Sequence, residues 1–320
     1  MARSDLLLDL VQAERTGDKD KFRILVEAII AEERSNQHHL LADRLSELIT
    51  TAGSGSNVPR DSMSSSVADL VHEVIPKRRL SDLELAPLIH RSASEVIEEH
   101  RRGELLRSYG IEPRNRVLLE GPPGNGKTSL AEAMAAELML PFYVIRYEGI
   151  VSSFLGETAA RLDHAFEFAR TRRCVLFFDE LDTIAKERSD EHETGEIKRV
   201  VSTLLMQIDR LPAHVILVGA TNHGELLDRA AWRRFQVRLS LDAPSRSQAT
   251  KFIEELSVRL GGDLGYAPRT LADKLAGASF AELEEFAMDV RRRMIMEAPG
   301  GELQRIVRER LEHWRTQATA

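Results

Sequence analysis

A glycine-rich segment that ends in a lysine and a threonine is the part of the sequence whose residue types and spacing indicate chemistry most directly. Residues 121–128 read Gly-Pro-Pro-Gly-Asn-Gly-Lys-Thr and fit the pattern G-x-x-x-x-G-K-[ST] in full. They follow a predicted strand at 116–119 and open a predicted helix at 128–140. Glycines let main-chain N–H groups turn inward around phosphate oxygens, and a helix N-terminus adds partial positive charge. The segment therefore predicts a phosphate-binding loop; the alternative is a Gly/Pro-rich turn that contains a lysine by chance.

The side chains of this loop suggest which part of a nucleotide each one contacts. Lys127 is expected to reach the β- and γ-phosphates, and the Thr128 hydroxyl is expected to hold Mg²⁺. The predicted nucleotide-contacting residues are Gly121, Pro122, Pro123, Gly124, Asn125, Gly126, Lys127, Thr128, Ser129 and Asp179.

Two acids follow a second predicted strand. The apolar run 174–178 is followed directly by Asp179 and Glu180. Ligands bind at the carboxyl ends of parallel strands, so these carboxylates are expected beside the phosphate loop. Asp179 is expected to join Thr128 in holding Mg²⁺, and Glu180 to polarise the attacking water. The alternative is a solvated strand end.

An amide and two arginines are further candidates. Asn222 follows a strand predicted at 214–218 and can orient water and the γ-phosphate, although an Asn at a strand end is also a common turn former. Arg233 and Arg234 can stabilise the charge of phosphoryl transfer if they reach a nucleotide. Their alternative role is a surface salt bridge.

The elements that position these residues alternate between strands and helices. Apolar runs predict strands at 116–119, 142–145, 174–178 and 214–218, and helical periods lie between them at 128–140, 158–172 and 196–209. Such alternation predicts an α/β fold with a parallel sheet and helices on both faces. Runs that are apolar throughout suit strands buried on two sides.

Composition suggests four segments along the chain. They are a helical N-terminal module for a partner or client at 1–50, a Gly/Ser-rich linker at 51–66, the α/β domain at 67–242 and a small helical domain at 243–320. In the last segment, Ser279 and Glu282 have the spacing of a capping box that opens a helix.

Composition also excludes several classes of protein. The 44 basic and 51 acidic residues give a net charge of −7, which argues against a dedicated, chain-wide nucleic-acid binder but not against a local basic channel. The single cysteine, Cys174, excludes an intramolecular disulfide framework and a cysteine zinc cluster. The first ten residues fit neither a signal peptide nor a membrane span, and no run of 18 apolar residues occurs. A cytoplasmic location without membrane contact is therefore expected.

Together these motifs resemble the AAA branch of the AAA+ ATPases over about residues 68–295. The loop 121–128 resembles the Walker A motif, 175–182 the Walker B motif, Asn222 sensor 1, and 221–235 the second region of homology. The resemblance implies a P-loop NTPase sheet followed by a helical lid, and the hydrolysis of ATP to ADP and phosphate with Mg²⁺.

The same resemblance implies an assembly and a mode of work. It makes Arg233 and Arg234 arginine fingers that act on a neighbouring subunit's ATP, which requires a ring, most simply a hexamer. Phe154 and Leu155 match the two gripping positions of the first pore loop in AAA unfoldases, and 186–198 matches the second pore loop. The alternatives are a core position for Phe154 and an ordinary solvated loop at 186–198.

The sequence departs from the family pattern at several points. The usual Asp-Ile-Gly-Gly segment is absent from 80–87, Phe280 stands where Gly is usual, and Asp209-Arg-Leu replaces Asp-Gly-Phe. No sensor 2 arginine is present, as is typical of the AAA branch. His192-Glu193 lacks the second histidine of a His-Glu-x-x-His zinc-protease motif.

Three functions fit these observations. The first is a ring that pulls on protein clients, with an N-terminal module that recruits a client or, by family analogy, a separately encoded protease. The second is a nucleic-acid remodeller, for which 77–79 and 291–293 are candidate phosphate contacts unless they are solvated helix ends. The third is a nucleotide-gated scaffold with slow turnover.

Overall fold

The computed structural model divides the chain into two compact units, Met1–Met63 and Ser64–Ala320. It describes residues 24–26, 28–30, 70–145, 155–181, 195–227, 229–297 and 302–318. In the first unit, 24–26 and 28–30 are helical, with Val26 and Ile30 buried four residues apart on one helix face. Most of 1–66 lies outside the described residues, so the module, the linker and the predicted boundaries stay predictions.

The second unit contains a six-stranded sheet. Its strands are β1 (Val71–Val74), β2 (Arg116–Glu120), β3 (Phe142–Ile145), β4 (Cys174–Phe178), β5 (Val215–Thr221) and β6 (Val237–Ser240). Their order is β1-β3-β4-β5-β2-β6, and β2 to β6 are parallel. The four predicted strands form its centre, and all residues of β4 and β5 are buried. The predicted α/β fold is therefore confirmed.

Two edge strands were not predicted. β1 pairs antiparallel with β3, so the sheet is mixed rather than wholly parallel. Three of the four residues of β1 are exposed, and β6 alternates between buried and exposed residues. Neither strand forms the continuous apolar run that marks a strand buried on both faces.

Helices cover both faces of the sheet. The helices of this part are α1 (Pro87–Arg101), α2 (Gly103–Ser108), α3 (Lys127–Leu138), α4 (Leu155–Arg170), α5 (Gly195–Asp209) and α6 (Arg229–Trp232). Phe142 and Val144 share a core with α1 and α3. Between them, Tyr143 points to the opposite face, where its ring packs edge-on against Phe168 of α4 at 5.1 Å between centroids.

A helical lid follows β6. Its helices are α7 (Arg246–Leu260), α8 (Pro268–Lys274), α9 (Phe280–Met296) and α10 (Leu303–Ala318), and they enclose a separate apolar core. The predicted capping box is present, because Ser279 Oγ accepts the Glu282 N–H and the Glu282 carboxylate accepts the Ser279 N–H. Phe280 packs against the lid core. Across the described ranges, no helix has both the length and the apolar character needed to cross a membrane.

Candidate nucleotide-binding site

The glycine-rich loop connects the end of β2 to the start of α3. Gly121, Gly124 and Gly126 have φ values of 131°, 78° and 85°, a region that side chains disfavour. At Gly121 a Cβ would lie 2.3 Å from the Leu241 carbonyl oxygen, so only glycine fits. A Cβ at Gly126 would meet no atom within 4 Å, so open space adjoins the first turn of α3. This tight turn, which places a helix N-terminus beside open space, fits a polyphosphate.

Lys127 joins the loop to the end of the neighbouring strand. Its side chain is buried, and its Nζ donates to the carbonyl oxygens of Gly121 (2.6 Å) and Pro122 (3.0 Å). The same Nζ donates to Asn222 Oδ1 at 2.7 Å. The structure thus brings together a cation and an amide that the sequence separates by 95 residues.

The two acids lie just beyond β4. The Asp179 N–H donates to the Ile145 carbonyl at 3.3 Å, and the Glu180 N–H donates to Asp179 Oδ1 at 3.0 Å. Glu180 has a φ of 54°, which costs a residue other than glycine about 1–2 kcal/mol. Leu181 is buried and anchors the chain after this turn. Because β4, β5 and β2 are adjacent and parallel, these acids share one sheet edge with Asn222 and the loop.

Two oxygen-bearing side chains at this edge can hold Mg²⁺. Thr128 is exposed at the second position of α3, and Asp179 is half-buried. Hydroxyl and carboxylate oxygens are ligands that Mg²⁺ prefers. The donor set therefore fits a magnesium-bound polyphosphate.

The lid contacts the loop directly through the start of α9. The Ala281 N–H donates to the Gly124 carbonyl at 2.9 Å, and the Phe280 N–H donates to Asn125 Oδ1 at 3.4 Å. Asn125 is buried, and a Cβ at Gly124 would lie 2.7 Å from Ser279 Oγ. The sequence analysis missed this contact, since it joins segments 155 residues apart.

The two candidate arginines have different surroundings. Arg234 Nε donates to Asp209 Oδ2 at 2.9 Å, and its Nη1 donates to the Ala230 carbonyl at 2.7 Å. Arg233 is exposed, and within the described part of the chain no carboxylate pairs with it. The salt-bridge alternative thus describes Arg234, while Arg233 is available to a second molecule.

The predicted pore residues lie largely outside the described residues. Phe154 is not described, and Leu155 is described only as the first residue of the α4 backbone. Of the predicted second pore loop, 186–194 lies outside the described residues, and α5 begins at Gly195. Their roles stay predictions.

Comparison with known proteins places this geometry in a family. The family described as "ATPase family associated with various cellular activities (AAA)" matches residues 117–243. The uncharacterized AAA family ATPase y4kL of Sinorhizobium fredii is 35% identical over 303 residues, which cover 93% of this chain and 91% of that protein.

Two longer relatives match smaller parts. The peroxisomal ATPase pex6 of Schizosaccharomyces pombe is 42% identical over 155 residues, 45% of this chain and 16% of that protein. A protein of Methanothermobacter marburgensis that is named as a homolog of a 26S proteasome regulatory subunit is 30% identical over 204 residues, 63% of this chain and 54% of that protein. This chain therefore spans well under two thirds of either relative. The near full-length match to y4kL and the matching nucleotide-binding domain show that the chain belongs to the AAA family of ATPases.

Proposed function

We propose that this ATPase assembles as a ring, most simply a hexamer, and uses ATP hydrolysis to remodel or unfold protein clients through a central pore. The observation that carries the ATP-hydrolysing part of the proposal is the contact of Lys127 with both the loop carbonyls and Asn222, at the sheet edge where Glu180 also lies. This arrangement gathers a cation, an amide and a carboxylate around one position for the terminal phosphate.

Each side chain has a distinct part in hydrolysis. Lys127 exchanges its carbonyl partners for phosphate oxygens, and Asn222 orients the attacking water and the terminal phosphate. Glu180 accepts the proton of that water. Its positive φ sets the direction in which the side chain leaves the backbone. Thr128 and Asp179 hold Mg²⁺, which neutralises charge on the phosphate oxygens when it is bound.

A neighbouring subunit completes the site. Arg233 is the better candidate for the arginine finger that reaches a neighbouring subunit's ATP, because it is exposed while Arg234 is hydrogen-bonded to Asp209. Arg234 then stabilises the turn that carries Arg233. A contact between two different surfaces of identical subunits builds a closed ring when the rotation that relates successive subunits adds up to a full turn.

Protein is the favoured substrate. One relative is named a homolog of a 26S proteasome regulatory subunit, and proteasomes act on proteins. Of the basic residues considered for nucleic acid, Arg293 pairs with Glu297, which removes one candidate phosphate contact. In this proposal Phe154 and Leu155 grip the client. The N-terminal unit recruits a client or a separately encoded protease, and the protein works in the cytoplasm.

Stimulation of ATP hydrolysis separates protein from nucleic acid as the substrate. We expect a permanently unfolded protein, such as reduced and carboxymethylated casein, to raise the rate of phosphate release, and the rise to persist from 50 to 300 mM salt. Phe154→Ala is expected to keep ATP binding and lose this stimulation. Stimulation by single-stranded DNA with a steep salt dependence, and none by unfolded protein, would count against the proposal.

A further inference from the structure

The segment between β1 and α1 is fastened along α3, the helix that follows the phosphate loop. Glu132 Oε1 accepts the N–H groups of Lys77 (2.8 Å) and Arg78 (3.3 Å). Leu80 is buried in the core that α3 shares. The Arg79 N–H donates to Asp82 at 2.8 Å and opens a short 3₁₀ turn. The backbone on both sides of the Arg78 side chain is therefore held in place.

Arg78 reaches the first turn of α3. Its Nη1 donates to Ser129 Oγ, and Ser129 directly follows Thr128. The guanidinium group carries five N–H donors, so further donors remain after this bond. It therefore lies beside the helix N-terminus that the proposed nucleotide contacts.

A guanidinium at this position is electrostatically unusual. The N-terminus of a helix carries partial positive charge, and cations are disfavoured there. Lys127 adds another positive charge two residues before Ser129. Over the described residues no carboxylate forms an ion pair with Arg78, and Glu132 binds its backbone instead. Such a concentration of positive charge favours an anion as its counterpart.

We infer that Arg78 is an additional phosphate contact of the nucleotide site, supplied by the same chain that supplies the loop. The inference rests on the proposed nucleotide site. It differs from the role of Arg233, which acts on a neighbour, because Arg78 binds nucleotide within each subunit. Fork-shaped guanidinium groups pair well with phosphate oxygens, which suits Arg78 to this contact.

Nucleotide affinity tests this inference. The dissociation constants of ATP and ADP are measured by titration calorimetry with Mg²⁺ for the wild type, Arg78→Ala, Arg78→Lys and the matched control Arg79→Ala. Arg79 is the next residue, is also exposed, and makes a main-chain bond that survives the substitution. Loss of a charge-assisted hydrogen bond predicts that Arg78→Ala binds ATP roughly 10- to 100-fold more weakly. Arg78→Lys is expected to lie between Arg78→Ala and the wild type, and Arg79→Ala to match the wild type.

The dependence on ionic strength distinguishes a phosphate contact by Arg78 from a purely structural role, in which Arg78 only holds the segment between β1 and α1 against α3. Because Arg78 is exposed, salt screens its contact with phosphate. The ratio between the ATP dissociation constants of Arg78→Ala and the wild type is therefore expected to fall as the salt concentration rises from 50 to 400 mM. Unchanged affinity in Arg78→Ala, an equal loss in Arg79→Ala, or a ratio that does not change with salt would each overturn the inference. Failure of the wild type to bind ATP would instead refute the proposed nucleotide site.

Discussion

Replacing Gly124 by alanine probes the contact between the phosphate loop and the lid. A Cβ at this position would lie 2.7 Å from Ser279 Oγ, closer than real Cβ atoms approach, and 3.1 Å from Ala281 Cβ, which is a tight contact. Ser279 cannot simply rotate away, because its hydroxyl accepts the Glu282 N–H and donates to the Glu282 carboxylate. The lid must therefore shift, or the cap of α9 must break.

The loss of folding free energy expected in Gly124→Ala has two parts, one from backbone strain and one from the collision with the lid. A φ of 78° costs an alanine about 1–2 kcal/mol, whatever the surroundings. Losing the Ser279 cap, or the bond from Ala281 to the Gly124 carbonyl, adds about 1–2 kcal/mol. The total destabilisation is then about 2–4 kcal/mol.

A matched control isolates the second part. Gly110 has a φ of 73°, and a Cβ there would meet no atom within 4 Å. Gly110→Ala therefore carries the backbone strain without the collision. For a domain of this size, Gly124→Ala is expected to lower the Tm by about 2–8 °C more than Gly110→Ala does.

Amide hydrogen exchange shows where the loss occurs. We expect the Phe280 and Ala281 amides to exchange faster in Gly124→Ala and to stay protected in Gly110→Ala, since only the former disturbs their acceptors. Equal Tm changes in both variants, with unaltered exchange at Ala281, would refute the reasoning.

Three further predictions concern catalysis, assembly and pH. Glu180→Gln is expected to bind ATP while phosphate release falls by about 10²–10⁴-fold; turnover at the wild-type rate would remove Glu180 from its proposed role. Arg233→Ala is expected to lose about 10³-fold in turnover at unchanged stability and to recover in mixed rings with Glu180→Gln subunits; Arg234→Ala, which breaks the bond to Asp209, should instead lower the Tm. If mixed rings stay inactive, Arg233 does not act in trans. Burial lowers the pKa of His100 below its ordinary 6.5, so its neutral form stabilises the fold above pH 6.5 and this contribution is lost as the pH falls. His100→Gln, which retains a donor for the Arg114 carbonyl, should flatten the fall in urea midpoint between pH 7.5 and 5.5; an equally steep fall in both proteins would contradict this.

The central strands could be predicted because burial on both faces of the sheet requires a continuous run of apolar residues, which is visible in the sequence. Strands β3 and β4 have the bounds that their apolar runs predicted, and every residue of both is buried. Such strands must be apolar on two faces, and that pattern is visible without knowledge of their neighbours. β1 and β6 lie at the edges, where half-exposed residues remove the pattern.

The candidate site divides in the same way. The loop 121–128 was predictable because its glycines, lysine and helix start are adjacent in the chain. The bond from Arg78 to Ser129 spans 51 residues and that from Arg234 to Asp209 spans 25. Spacing alone could not distinguish Arg233 from Arg234, because only tertiary packing places Asp209 beside one of them.

The contact between lid and loop also accounts for a departure from the family pattern. Main-chain N–H groups of Phe280 and Ala281 supply the donors, so the contact does not depend on their side chains. Phe280 is therefore free to pack into the lid core, although glycine is usual at its position in the sequence pattern. The acceptor side is less tolerant, because Gly124 has no room for a side chain and Asn125 supplies the second acceptor from a buried position. Side-chain substitutions at Gly124 and Asn125 should consequently weaken this contact more than a substitution at Phe280 does.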